Sequence, residues 1–151
     1  MRSVIPVVLV LLSMTAVPAC ASGIDDKIPN QQSIDALEVK ASQAPQREQC
    51  FLYAELVHQM TELSVRQYAA GDVEKATALL RQIQELTHKI HLSVADDNKR
   101  LKNAEILLNH TAYRLTGMLH ASAFEDQTLV AETLAQVNQV QAEAMMQLFR
   151  K

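Results

Sequence analysis

Residues 73–120 read VEKATALLRQIQELTHKIHLSVADDNKRLKNAEILLNHTAYRLTGMLH, and this stretch decides the fold. Apolar residues recur in it at alternating spacings of four and three, the coiled-coil form of helical periodicity. Polar residues stand at three positions of this stripe, Thr87, Asp97 and Thr111, and the four-three spacing continues through them. The unbroken phase predicts one helix over the whole stretch, on the order of 70 Å long. The apolar members of the stripe are Ala76, Leu80, Ile83, Ile90, Val94, Leu101, Ala104, Leu108, Leu115 and Met118.

The flanking helices have recognisable ends. Pro45 suits the first turn of a helix, whose pattern continues to Ala70 before Gly71 ends it in a tight hairpin. A last helix opens at Ser122, where Glu125 stands three residues later as in a capping box. This helix is expected to reach nearly to the C-terminus. Its predicted inward residues are Leu129, Val130, Leu134, Val137, Val140, Ala144, Leu148 and Phe149.

The end of this last helix has a second interpretation. Met145, Met146 and Phe149 stand close together, and flexible methionines are typical of adaptable binding surfaces. An amphipathic terminal helix more often buries such residues, so the pattern favours burial.

Two all-α architectures fit these helices. If residues 73–120 form one helix, antiparallel helical hairpins build an elongated three-helix rod around a long central helix. If the chain breaks at residues 95–98, whose Ala-Asp-Asp-Asn sequence favours helix caps, the result is an up-down four-helix bundle. The unbroken phase favours the rod. Its apolar seams would be completed by a second copy, so we expect a homodimer or a helical envelope partner.

Residues 1–21 predict a secretory signal peptide. One charge, Arg2, precedes an apolar run that ends in Ala-Cys-Ala. Two prolines interrupt this run, which argues against a membrane-spanning helix. Cleavage here releases a chain that begins at Ser22. The alternative is lipid modification of Cys20, through which alone the chain would meet a membrane. We expect an exported protein, either periplasmic or secreted, or an outer-membrane lipoprotein.

Residues 22–45 are polar and contain Pro29 and Pro45. They are interpreted as a flexible linker with one or two helical turns near residues 33–40. Residues 46–151 then form a single helical domain.

Composition excludes several functional classes. The chain has 151 residues with three Gly, four Pro and no glycine-rich phosphate loop. Loss of Arg2 with the signal leaves 13 basic against 17 acidic residues, a net charge of −4, so no general attraction to nucleic acid is expected. Cys50 is then the lone cysteine, which predicts a buried free thiol or, less commonly, a bond to another chain.

Two Glu-x-x-His motifs, Glu55 with His58 and Glu85 with His88, have the spacing of dimetal sites in helical bundles. The hairpin at Gly71 aligns them in height. At 100° per residue, however, His58 and Glu85 point away from the apolar stripes of their helices, which favours exposed polar residues over a metal centre. His88 and His91 supply only two ligands by themselves.

Two segments carry resemblances. Tyr68 to Ala76, YAAGDVEKA, resembles the turn of a tetratricopeptide repeat, but no 34-residue period recurs, so no peptide groove is implied. Residues 50–63 and 100–115 resemble segments of short exported helical proteins of bacteria that have no assigned function. That resemblance implies a bacterial envelope setting and transfers no site residues.

These observations predict an exported helical interaction or structural protein of the bacterial envelope. No cofactor and no enzymatic activity are expected, because no nucleophile has a base at a recognisable spacing. The alternative is a small metal- or ligand-binding bundle built on the paired Glu-x-x-His motifs.

Overall fold

The computed structural model describes residues 28–92 and 98–150, and this part of the chain is an all-α helical bundle without strands. Residues 1–27, which include the predicted signal peptide and Cys20, lie outside it. The five helices are α1 (Gln31–Gln43), α2 (Gln46–Ala69), α3 (Val73–Leu92), α4 (Asn98–Ala121) and α5 (Phe124–Leu148).

Helix α1 occupies most of the segment that was predicted to be a flexible linker. Asn30 caps it, because its side chain accepts from the Ser33 amide while the Ser33 hydroxyl accepts from the Asn30 amide. Ile34, Leu37 and Ala41 are buried against the core, and α1 packs on α2. Residues 31–43 therefore belong to the helical domain, and the linker interpretation is corrected there.

Contacts along α2 fix the direction of its neighbours. Ser64 contacts Ala76 near the Gly71 hairpin, while the Lys89 ammonium lies 5.8 Å from the Tyr53 ring centroid, so α3 is antiparallel to α2. Two ion pairs join α2 to α4, Glu48 with Arg100 and Glu62 with Arg114. The residue numbers rise in the same direction along both helices, so α4 is parallel to α2.

Helices α3 and α4 therefore run in opposite directions, and the single helix predicted over residues 73–120 is wrong. Both helices show the same spacing of apolar residues, because each amphipathic helix needs its own stripe of inward residues. Every apolar member of that stripe within the described residues is buried, as are Thr87 and Thr111. Val94 and Asp97 lie outside the described residues.

The four long helices form the bundle that the sequence offered as its second architecture. Helices α2 and α5 each pack against both α3 and α4, whereas among the described residues the backbones of α3 and α4, and those of α2 and α5, do not approach closely. Two antiparallel hairpins, α2–α3 and α4–α5, thus lie side by side, and the consecutive helices α3 and α4 stand on a diagonal.

Tyr68 joins the two hairpins at one end of the bundle. Its hydroxyl accepts from the Ala123 amide at 2.8 Å and donates to Asp126 at 2.9 Å. The predicted capping box is wrong, because α5 begins one residue later than expected and the Ser122 hydroxyl donates to the Met118 carbonyl. The amide that opens α5 is therefore satisfied by a tyrosine from another helix.

Candidate functional site: the groove between α2 and α4

The face shared by α2 and α4 carries two partly exposed stripes. On α2 the stripe repeats at spacings of four and three, and on α4 it repeats at three and four. Because the two helices are parallel neighbours, the stripes run side by side and border a shallow cleft, here named the α2–α4 groove. Its members are Phe51, Glu55, His58, Glu62 and Val65 on α2, and Asn103, Ile106, His110, Tyr113 and Gly117 on α4.

Polar groups cross the middle of the groove. The Nδ1 atom of His58 lies 3.2 Å from the Thr111 hydroxyl, and the His58 ring centroid lies 6.3 Å from that of His110. One turn further along, Arg114 Nη2 donates to Glu62 Oε2 at 3.0 Å while its Nε lies 2.6 Å from Oε1. These contacts hold the two parallel helices in one register.

Each end of the α2–α4 groove opens into an apolar cavity. One cavity, of about 280 Å³, is lined by Phe51, Glu55, Asn103, Ile106 and Leu107. Ile106 there is 40% exposed.

The second cavity, of about 680 Å³, lies between the C-terminal ends of α2 and α4. Gly117 faces open space, since a β-carbon added there would meet no atom within 4 Å. Tyr113, 77% exposed, stands beside it. The groove thus has two apolar ends and a polar centre.

Burial lowers the pKa of His58 below its ordinary value. His110 and Arg114 lower this pKa further, while the Glu62 carboxylate opposes the shift. A histidine whose folded pKa is depressed binds protons more readily in the unfolded chain. The stability that neutral His58 allows is therefore complete above about pH 6.5 and is lost as the pH falls through the folded pKa.

We expect the His58→Gln variant to unfold with a weaker pH dependence than the wild type between pH 7.5 and pH 5. The glutamine keeps a polar group near Thr111 but cannot be protonated in this range. Urea unfolding followed by circular dichroism at several pH values measures the slope. Asn109→Gln, at an exposed position of α4, is the matched control and is expected to retain the wild-type slope, because neither side chain titrates. Equal slopes for wild type and His58→Gln would contradict this assignment.

The structure does not bring the two Glu-x-x-His motifs together. Glu55 and His58 line the α2–α4 groove, whereas Glu85 and His88 are exposed on α3. Within residues 28–92 and 98–150, no group of three or more described His, Cys, Asp or Glu side chains is placed to hold a metal. The side chain of His91 is not among those described.

His58 was expected to be solvent-exposed, but it is only partly exposed, because it packs beside Thr111 of α4. Helix α2 packs against α1, α3 and α4, so its buried surface covers more than the single stripe that periodicity identified. The sequence pattern also missed His110, Tyr113 and Arg114 as neighbours of α2. A signal was available, since Ile106, His110, Tyr113 and Gly117 repeat at helical spacing beside the core stripe.

Cys50 is a buried free thiol, 3% exposed in the first turns of α2. Burial raises the pKa of this thiol to about 11. Since the thiolate is the reactive form, Cys50 is protected from exchange with other thiols in the folded chain.

Comparisons with known proteins add no relative: no family model, no curated protein and no solved structure matches this chain. Across the described ranges, no helix combines the length and the apolar character that crossing a bilayer requires. The resemblances stated from the sequence stay predictions.

Proposed function

We propose that the chain is an exported helical interaction protein of the bacterial envelope, and that the α2–α4 groove binds an amphipathic helix of a partner protein. The observation that carries this proposal is the groove itself, with apolar cavities at both ends of two parallel helices. The character of residues 1–21 supports export. No catalytic role belongs to the proposal.

The dimensions of the groove suit one helix of about five turns. Residues 51–69 of α2 span about 27 Å at 1.5 Å per residue. The centres of the two cavities lie on the order of 20 Å apart along the helices, which is about four helical turns. A docked helix would therefore place one apolar side chain in each cavity, about 14 residues apart, on a single face.

The polar centre of the groove is expected to fix the register of a bound helix and to contribute little of its binding energy. Glu62 and Arg114 are paired with each other, and their side chains are 27% and 40% exposed. Such partly exposed pairs contribute little to binding energy, whereas apolar anchors in cavities contribute most of it. Ile106 and Tyr113 are therefore the residues of this face from which the partner is expected to gain most.

The test is site-specific photocrosslinking in the native host from a benzoylphenylalanine at Tyr113, with the same probe at exposed Glu85 on the diagonal helix α3 as control. We expect a discrete adduct from position 113 and none from position 85. Gly117→Trp is directed at the open cavity, because a β-carbon at this position meets no atom within 4 Å. It is expected to abolish the adduct and to leave the circular dichroism spectrum unchanged.

Three results would overturn the proposal: no adduct from position 113, equal adducts from both positions, or an adduct that survives Gly117→Trp. An adduct of twice the chain mass would assign the groove to a second copy and would also contradict a separate partner.

A further inference from the structure

Helix α5 carries a second, outward stripe that the bundle leaves uncovered. Its residues repeat at spacings of four and three over the full helix, and all of them are exposed. The stripe lies roughly 130° around the helix from the buried residues Val130, Val137 and Ala144, at 100° per residue. This α5 stripe consists of Phe124, Thr128, Ala131, Ala135, Asn138, Ala142, Met145 and Phe149.

Large apolar side chains stand at the two ends of the α5 stripe. Phe124 is 89% exposed, Phe149 is 79% exposed, and Met145 with its neighbour Met146 are 42% and 65% exposed. Phe149 was predicted to face inward, and Met145 and Met146 were expected to be buried, so those predictions are wrong. At about 200 Å² for a large side chain, these four expose on the order of 500 Å² per chain.

We infer that α5 pairs antiparallel with α5 of a second copy of this chain, about a two-fold axis between Gln136 and Val137. In this register Phe124 meets the partner's Phe149, Thr128 meets the partner's Met145 and Ala131 meets the partner's Ala142. Large residues close the two ends, and small residues in the middle allow the helix axes to approach closely.

The buried area is sufficient for a specific dimer. Covering the apolar side chains of both copies removes on the order of 1,000 Å², before the alanines between them are counted. That value reaches the lower bound of about 1,000 Å² for a specific interface.

Charge decides the antiparallel direction. Glu125 and Asp126 lie in the first turn of α5, the helix contains no Lys or Arg, and Arg150 follows its end. Antiparallel pairing places Glu125 beside the partner's Arg150 at both ends of the interface. Parallel pairing would instead bring the acidic first turns of both helices together at one end and both Arg150 residues together at the other, which costs free energy.

This surface is separate from the α2–α4 groove, so the dimer can be tested without reference to the proposed partner. Ala142→Glu introduces a charge that would face the partner's Ala131, where the interface excludes water. Gln136→Glu adds the same charge on α5 at an exposed position outside the stripe. Sedimentation equilibrium is expected to give a wild-type dimer, a Gln136→Glu dimer, and a dissociation constant at least 100-fold higher for Ala142→Glu with unchanged helicity.

Cysteine crosslinking tests the register in a background that carries Cys20→Ala and Cys50→Ala, since the sequence has two cysteines. Chains with Ala131→Cys, mixed with chains that carry Ala142→Cys, are expected to form a disulfide-linked dimer under mild oxidation. Neither variant alone is expected to do so, because equivalent positions stand roughly 16 Å apart along antiparallel helices.

The inference is overturned by a monomeric wild type at 100 µM or by Ala142→Glu that dimerises as tightly as Gln136→Glu. Crosslinking of Ala131→Cys alone would contradict the antiparallel register and indicate parallel pairing.

Discussion

The Leu108→Asp variant is expected to unfold at a much lower urea concentration than the wild type. Leu108 is fully buried in α4, and aspartate there would leave both a cavity and a charge without a partner. Such substitutions cost about 4 to 5 kcal/mol or more, a large part of the 5 to 15 kcal/mol that a domain of this size has. Circular dichroism at 222 nm measures the loss of helix. Leu80→Asp, at an equally buried position of α3, is expected to behave in the same way.

Asn109→Asp provides the matched control for Leu108→Asp. It places the same side chain one residue further along α4, at an exposed position. We expect its free energy of unfolding to lie within about 0.5 kcal/mol of the wild type. A cooperative unfolding transition for Leu108→Asp near that of Asn109→Asp would show that the inward face of α4 is wrongly assigned.

Ile34→Asp is expected to release α1 from the bundle and to lower the free energy of unfolding by about 3 kcal/mol. Ile34 is 2% exposed, although it lies in the segment that reads as a linker. Hydrogen exchange of residues 31–43 measures the release directly, because amides of an undocked 13-residue helix lose protection.

Val39→Asp is the control for Ile34→Asp, since it changes an aliphatic residue of the same helix that is 55% exposed. It is expected to leave both the exchange rates and the stability close to wild type. Equal protection of residues 31–43 in the Ile34→Asp variant and the wild type would contradict the docking of α1.

Periodicity predicted the inward residues better than it predicted the helices. Leu80, Ile83 and Leu115 are buried as expected, because burial of one face is what an apolar stripe encodes. The same stripe could not show that α3 and α4 run in opposite directions, since the spacing of apolar residues carries no information about helix direction. The polar residues at 95–98 were the available signal for a break.

The candidate site depends on features that no single helix encodes. His58 and His110 are far apart in the sequence and meet only because α4 runs parallel to α2. Likewise, periodicity gave Phe149 an inward place, yet it follows the end of α5 and is exposed. Which helices are adjacent, and in which direction each one runs, depends on tertiary packing. The α2–α4 groove could therefore be identified only from the packing of the two hairpins.

The distance between spin labels at Arg81 and Tyr113 tests the central claim of two hairpins side by side most directly. Both positions are exposed, and the contacts of α2 with Ala76 and Arg114 place them at about the same height on diagonal helices. Cysteines at these positions in a background that carries Cys20→Ala and Cys50→Ala, diluted with unlabelled protein, allow measurement by pulsed electron resonance.

The bundle predicts a label separation below about 35 Å, because neighbouring helix axes lie 8–10 Å apart and the labels add the remainder. A separation of about 48 Å, which is 32 residues of continuous helix at 1.5 Å per residue, would contradict it and restore the rod.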